Sequence, residues 1–203
     1  MSPHLDLTAP YPPLVRRIET EATVENGEIL RIDHFLNHRI EPAFIFEMAH
    51  ELARRLSYFQ PNVVLTAEAS GIAPALVVAQ TLSVPLIYAK KYSPQVESPS
   101  ISRIIPSPTK GGHTRLVLSQ RYLGAGQRVV IVDDFLANGR TAIALIEMAR
   151  EAGAEVMGAG FIVEKRFKHG REHIQALNVP VATLAQVERL AETHAVLTQP
   201  VEA

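Results

Sequence analysis

Val129-Val130-Ile131-Val132 is an apolar run of strand length, and Asp133 and Asp134 follow it at once. Phe135-Leu136-Ala137-Asn138-Gly139 comes next, and a helical pattern begins near Arg140-Thr141. A buried strand, an acidic pair, a glycine loop and a helix in this order leave few folds open. The strand must lie inside a sheet covered on both faces, and the helix must cross back over it. The acidic pair then stands at the carboxyl end of the strand, where open α/β sheets bind ligands. Carboxylates there can accept hydrogen bonds from sugar hydroxyls. The loop N–H groups, the Thr141 hydroxyl and the helix N-terminus can hold a phosphate.

A second unit of the same kind precedes this one. Val63 to Thr66 reads as a buried strand, Glu68-Ala69-Ser70-Gly71 as a turn, Ile72 to Leu82 as a helix and Pro85 to Ala89 as a strand. The later unit closes with a helix to about Ala152, Gly153 as its C-cap, and a strand from Val156 to Val163. Alternation of this type predicts a mostly parallel sheet flanked by helices. It also brings the turn 68–71 and the loop 133–141 to the same edge of that sheet.

Upstream, Glu28 to Ile32 suggests a short strand and Asp33 to His38 a polar loop. Glu41 to Phe59 is the clearest helix. Ile45, Met48, Ala49, Leu52, Leu56 and Phe59 recur at three- and four-residue steps, and Pro42 suits its first turn. Residues 1–13, with Pro3, Pro10, Pro12 and Pro13, read as an irregular arm. Tyr92 to Arg115, rich in Ser, Pro and Gly, is long for a plain connection and reads as a flexible lid loop. No linker divides residues 1–203, so the expectation is one domain.

Composition narrows the function classes. Hydrophobic content of 47% with 20% charged residues describes a globular chain. A formal net charge of −1 gives no basic footprint for nucleic acid or a membrane surface. There is no Cys, which excludes disulfides and thiol catalysis. The start of the chain lacks the basic and apolar regions of a signal peptide, so a cytoplasmic location is expected.

The quoted segments, together with Leu30 to His38 and Ile162-Val163-Glu164-Lys165, resemble the type I purine phosphoribosyltransferases. The pattern is in order over roughly residues 27 to 185. Phe35-Leu36-Asn37-His38 and the form Phe135-Leu136-Ala137-Asn138-Gly139 are similar to the xanthine-using branch. The resemblance implies the type I fold, with a small hood from the N-terminal segment and the region after Val163. It implies transfer of a phosphoribosyl group from 5-phosphoribosyl 1-diphosphate to xanthine, with Mg2+, in a homodimer.

It also implies roles. Asp133 and Asp134 would be catalytic, binding the ribose hydroxyls and facing the metal directly or through those hydroxyls or water. Ala137, Asn138, Gly139, Arg140 and Thr141 would cradle the 5-phosphate, and Glu68, Ala69, Ser70 and Gly71 the diphosphate. Lys90 or Lys91 would neutralise diphosphate charge. Leu30, Asn37 and Lys165 would bind xanthine, whose two carbonyls flanking N1 call for donors. One of Phe135, Phe161 and Phe167 would stack on the base.

Plainer readings exist for each. Asn138 or Ser70 could simply cap a helix, Lys90, Lys91 and Lys165 could be solvated strand-end charges, and Asn37 a turn residue. Three other functions also fit the motifs: a regulator that binds 5-phosphoribosyl diphosphate without turnover, an enzyme for guanine, hypoxanthine or adenine, and a catalytically silent structural partner. His169-Gly170-Arg171-Glu172-His173 matches an inverted zinc motif, but Gly170 weakens the helix that it needs, and it reads as a chance match.

Overall fold

The computed structural model describes residues 6–91, 99–106 and 112–201. In chain order the first elements are α1 (Pro12–Glu21), β1 (Thr23–Glu25), β2 (Ile29–Arg31), α2 (Pro42–Leu56), β3 (Val63–Ala67), α3 (Ile72–Leu82) and β4 (Leu86–Ala89). They are followed by β5 (Ser100–Pro106), β6 (His113–Ser119), β7 (Arg128–Leu136), α4 (Arg140–Glu151), β8 (Glu155–Lys165), α5 (Gly170–Gln175), β9 (Val181–Leu190) and β10 (Ala195–Leu197).

Six strands form the central sheet in the order β10-β9-β8-β7-β3-β4. All neighbours are parallel except β10, which runs antiparallel to β9. The reason is visible in β7. Val130 and Val132 face one apolar cluster, with α2 and α3, while Val129 and Ile131 face the other, with α4. Every residue of β3 is buried. Strands covered on both faces read as continuous apolar runs, which explains why both were legible. Helix α4 ends as its glycine foretold: Gly153 has φ +87°, and Ala154 N–H donates to the Ala149 carbonyl at 3.0 Å.

The structure corrects three readings. Strand β7 does not stop at Val132 but continues to Leu136, because β8 offers ladder partners opposite Phe135 and Leu136. Asp133 and Asp134 therefore lie inside a strand, and the loop shrinks to Ala137–Gly139. Second, the proline-rich arm leads into a helix. Leu14, Val15 and Ile18 bury the inner face of α1, and Pro12 occupies a first-turn position where its missing N–H costs nothing. The arm is stitched to β9 by Thr183 N–H on the Leu7 carbonyl (3.0 Å) and Tyr11 N–H on the Leu184 carbonyl (2.7 Å).

Third, much of the expected lid loop is a hairpin. β5 pairs with β6 from Ser100↔Ser119 to Pro106↔His113. Ile101, Ile105, Leu116 and Leu118 bury against the α4 side of the sheet. Arg103 bonds Glu147 and Glu151 of α4 at 3.0 and 2.6 Å, so the hairpin is tied to the domain body. Residues 92–98 and 107–111 of the expected lid lie outside the described residues.

A small hood completes the fold. β1 and β2 form an antiparallel pair, and the turn Asp33–His38 follows. Phe35 and Leu36 anchor that turn in the core at 0% and 1% exposure, which carries Asn37 over the carboxyl end of β7. The region after Val163 adds the end of β8, α5 and the last two strands.

Candidate active site

The carboxyl ends of β3 and β7 open into a cleft of ≈ 740 Å³ of empty space, open solvent at its mouth included. Glu68, Ser70, Lys91, Asp133, Asp134 and the whole run Phe135 to Thr141 line it. Two polar loops predicted from separate motifs thus share one cleft.

The loop Ala137–Gly139 has the form of an anion cradle. Gly139 is the N-cap of α4 at φ +77°, a left-handed conformation that glycine adopts without penalty. This corrects the idea that Asn138 caps the helix. Asn138 instead points its Oδ1 at the Arg140 N–H, 3.5 Å away. The first N–H groups of α4 have no partner within the helix, and its positive dipole end faces the cleft.

The turn at β3 has a different construction. The Glu68–Ala69 peptide bond is cis. Glu68 Oε1 accepts the Lys91 N–H at 2.6 Å, so this side chain holds the neighbouring strand end. Ser70 does not cap α3; its hydroxyl donates to Asp134 Oδ1 at 3.0 Å. Gly71 sits where any Cβ would lie 2.3 Å from Thr66 Oγ1 and 2.5 Å from Asp133 Oδ1. The turn is therefore pressed directly onto the acidic pair.

Asp133 and Asp134 are unlike each other. Asp134 is 5% exposed and accepts two side-chain donors, Ser70 and Asn37 Nδ2, the latter at 2.6 Å on Oδ2. Asp133 accepts only the Asp134 backbone N–H at 3.0 Å among the bonds of its side chain described. Burial, and then the adjacent Asp134 carboxylate, push the Asp133 carboxyl well above the usual carboxylate range. Lys91 opposes that shift. A ligand or cation that brings positive charge to this pair relieves the repulsion.

On the far side of Asp134, Lys165 extends over Phe135, its Nζ 5.3 Å from the ring centre. Burial, and then Lys168, lower the Lys165 ammonium pKa, while Asp134 raises it. Asn37, Asp134, Phe135 and Lys165 thus form one corner carrying a π-face, a cation and an amide. Of the other aromatic candidates, Phe161 is 1% exposed in the core on the α4 side and lines the cleft, and Phe167 packs, like Phe135, against the cluster with α2 and α3. Leu30 is buried at 6% in the cluster with α2 and α3 and, like Asn37 and Lys165, is outside the cleft lining, which the corner reaches through Asp134 and Phe135. Lys90 is also outside it; its backbone bridges to Val117 while Lys91 lines the cleft.

Sequence reasoning missed two contributors. Thr66 Oγ1 is buried without a hydrogen-bond partner among the described residues, beside Gly71 and Asp133. Helix α5, dismissed with its zinc-like motif, lies directly behind the phosphate loop. No cluster of three or more His, Asp or Glu suited to hold a metal occurs among the described residues. No helix described is long and apolar enough to cross a membrane.

A mostly parallel sheet with an acidic strand end, a glycine phosphate loop and a hood defines the type I phosphoribosyltransferase fold. The chain belongs to the phosphoribosyl transferase domain family, whose model matches residues 37–192. It is 52% identical over 186 residues to a xanthine phosphoribosyltransferase of Chloroflexus aurantiacus, covering 92% of this chain and 88% of that protein. A protein of the same name from Deinococcus deserti is 44% identical over 180 residues, covering 88% and 93%. Among solved structures, adenine phosphoribosyltransferase from Saccharomyces cerevisiae aligns with a TM-score of 0.69 at 21% identity, covering 85% of this chain and 99% of that one. At that identity the likeness speaks for the fold.

Proposed function

We propose that the protein transfers the 5-phosphoribosyl group from 5-phosphoribosyl 1-diphosphate to xanthine, giving xanthosine 5'-monophosphate and diphosphate. The observation that carries the reading is the corner where Asn37, Lys165 and Phe135 meet the Asp134 carboxylate. It stands next to the phosphate loop, and the named relatives above use xanthine by their names.

In this reading the 5-phosphate binds the N–H groups of Ala137 to Thr141 and the Thr141 hydroxyl. The diphosphate lies against Glu68–Gly71 with Lys91 beside it, and the ribose spans the gap at Asp133 and Asp134. Xanthine lies on Phe135. Lys165 and the second N–H of Asn37, the one not given to Asp134, donate to the two carbonyls flanking N1. A purine nitrogen attacks the anomeric carbon as the bond to diphosphate breaks, diphosphate leaves with the bonding electrons, and the proton that the nitrogen carried passes to solvent or to the leaving diphosphate. Positive charge builds on the ribosyl carbon, and the two carboxylates stabilise it. Most of the remaining acceleration comes from holding both reactants in line.

Mg2+ belongs to this reading as the ion that neutralises the diphosphate charge. The hard carboxylate oxygens of Asp133 and Asp134 fit it, directly or through ribose hydroxyls or water. As the described residues hold no cluster of three such ligands, the pair suits an ion carried in by substrate phosphates. The homodimer is also part of the reading. Edge strand β4 and the exposed Leu76 and Tyr88, on α3 and β4, offer an apolar surface for a second copy.

The test is nucleotide formation by purified protein with 5-phosphoribosyl diphosphate, Mg2+ and each of xanthine, guanine, hypoxanthine and adenine. Xanthine is expected to give the highest kcat/KM. Preference for another base would overturn the base corner, and binding of 5-phosphoribosyl diphosphate without turnover would favour a sensor.

A further inference from the structure

We infer that helix α5 is the backing of the phosphate loop and that His173 is a positioning residue for the sugar phosphate. The inference rests on the phosphate-binding role given above to Ala137–Thr141.

Two peptide groups of the loop are held from behind. His173 Nδ1 lies 3.2 Å from the Asn138 carbonyl oxygen. A carbonyl only accepts, so Nδ1 carries the proton and donates. Gly170 presses on the neighbouring peptide: a Cβ added there would lie 2.2 Å from the Ala137 carbonyl oxygen and 3.0 Å from Gly139 N. In return, a Cβ on Gly139 would lie 3.1 Å from the Gly170 carbonyl oxygen. Glycine faces glycine because two backbones meet.

The consequence follows from peptide geometry. In a trans peptide the C=O and the following N–H point to opposite sides. The His173 bond draws the Asn138 carbonyl toward α5 and so turns the Gly139 N–H away from it, on the cleft side, while the Ala137 carbonyl oxygen lies close against Gly170. Carbonyls facing the cleft would repel a phosphate. The same contacts thus aim the donors and remove the acceptors.

The backing is itself anchored. Arg171, next to Gly170, bonds Glu164 at the end of β8 through both side chains, with Nε to Oε1 at 2.9 Å. Arg171 Nη2 also donates to Thr183 Oγ1 at 3.0 Å. Arg171 and Glu164 are 8% and 2% exposed. Arg150 of α4 donates to the Leu177 carbonyl at 2.8 Å, which ties the other end of this segment to the helix that the loop begins. A six-residue helix would not hold position alone, but this one is fixed to β8, β9 and α4.

The test uses His173→Asn and His173→Leu, which match each other in size. The asparagine amide can occupy the Nδ1 position and donate to Asn138, and leucine cannot. Affinity for ribose 5-phosphate is measured by calorimetry, and KM and kcat by nucleotide formation. A lost hydrogen bond of this kind predicts about three- to tenfold weaker ribose 5-phosphate binding, and a matching rise in KM for the diphosphate, in His173→Leu. The kcat and melting temperature should stay near wild type, and His173→Asn should bind nearly as well as wild type. Equal binding by the leucine variant and wild type would overturn the inference, as would equal losses in both variants or no ribose 5-phosphate binding by the wild type. If the wild type binds ribose 5-phosphate, the leucine variant does not, and neither turns over xanthine, the substrate reading fails while the backing role stands.

Discussion

Gly71→Ala separates the geometry of the acidic pair from the stability of the fold. The backbone of Gly71 has φ −69° and ψ −18°, an α conformation open to any residue. Alanine therefore meets no backbone penalty, and only the surroundings object. Its Cβ would lie 2.3 Å from Thr66 Oγ1 and 2.5 Å from Asp133 Oδ1, where ordinary contact begins near 3.4 Å. Something must move by about 1 Å. Thr66 is fully buried on a central strand and β-branched, so its rotamer is stiff. The Asp133 carboxylate, at the edge of the cleft, is the atom group that gives way. A misplacement of about 1 Å in a reacting constellation costs on the order of 10²-fold in rate, or roughly 2.7 kcal/mol.

Overpacking costs about 1–3 kcal/mol of stability, offset by roughly 0.4–1 kcal/mol from the stiffer unfolded chain. The net, roughly 0–2.6 kcal/mol, is for a chain of 203 residues a drop of at most about 10 °C in Tm. The assay is steady-state nucleotide formation well below the Tm, beside a thermal melt by circular dichroism. Gly71→Ala should be folded and about a hundredfold less active in kcat/KM. Adding Thr66→Ala removes a hydroxyl with no described partner and leaves one clash instead of two, so part of the activity should return. Wild-type kcat/KM in Gly71→Ala would refute the reasoning, because the position of Asp133 would then not matter.

Asp133→Asn should raise thermal stability while reducing turnover. The folded-state pKa of Asp133 is raised, so the native state binds its proton more tightly than the unfolded chain. Wild-type stability therefore falls as pH rises from the ordinary carboxylate range through the raised value. The variant lacks this loss, and melts should place it above wild type at neutral pH and level with it near about pH 4. Arg171→Met leaves the Glu164 carboxylate buried with Thr183 Oγ1, at 3.4 Å, as its remaining side-chain donor among the described residues. Stripping one partner from a buried pair costs about 3–5 kcal/mol, a Tm drop on the order of 10 °C, and Glu164→Leu added to it should recover most of the loss. Failure of the double variant to recover would mean that packing, not the stranded charge, sets the cost. Lys165→Met should lower kcat/KM for xanthine about tenfold or more beyond its effect on hypoxanthine, which lacks one carbonyl. Equal losses on both bases would take Lys165 off the carbonyl that hypoxanthine lacks.

The local signals were strongest where one residue type answers one local demand. Val63 to Thr66 and Val129 to Val132 could only be buried strands, because apolar runs that short cannot make a helix worth packing. Gly153 marked a helix end, and Ile72 to Leu82 matched α3 at both bounds. The two special loops converged because parallel α/β units place their ligand loops at one sheet edge.

Wherever the decision belonged to a distant partner, local reading fell short. Strand β7 runs on through Asp133 and Asp134 because β8 offers a ladder there, and a ladder partner cannot be seen in the strand's own residues. The β5–β6 hairpin was hidden by its serines and prolines, although Arg103 and the buried isoleucines tie it to α4. Asn37 was legible as a site residue, but its bond to Asp134 joins positions 97 residues apart. The chain by itself determined the layered fold, the edge of the sheet that carries the cleft, and the kinds of donor and acceptor placed there. Tertiary structure alone decided which donor each carboxylate receives and what stands behind the phosphate loop, because hydrogen bonds and close backbone contacts depend on distances that only the folded chain sets.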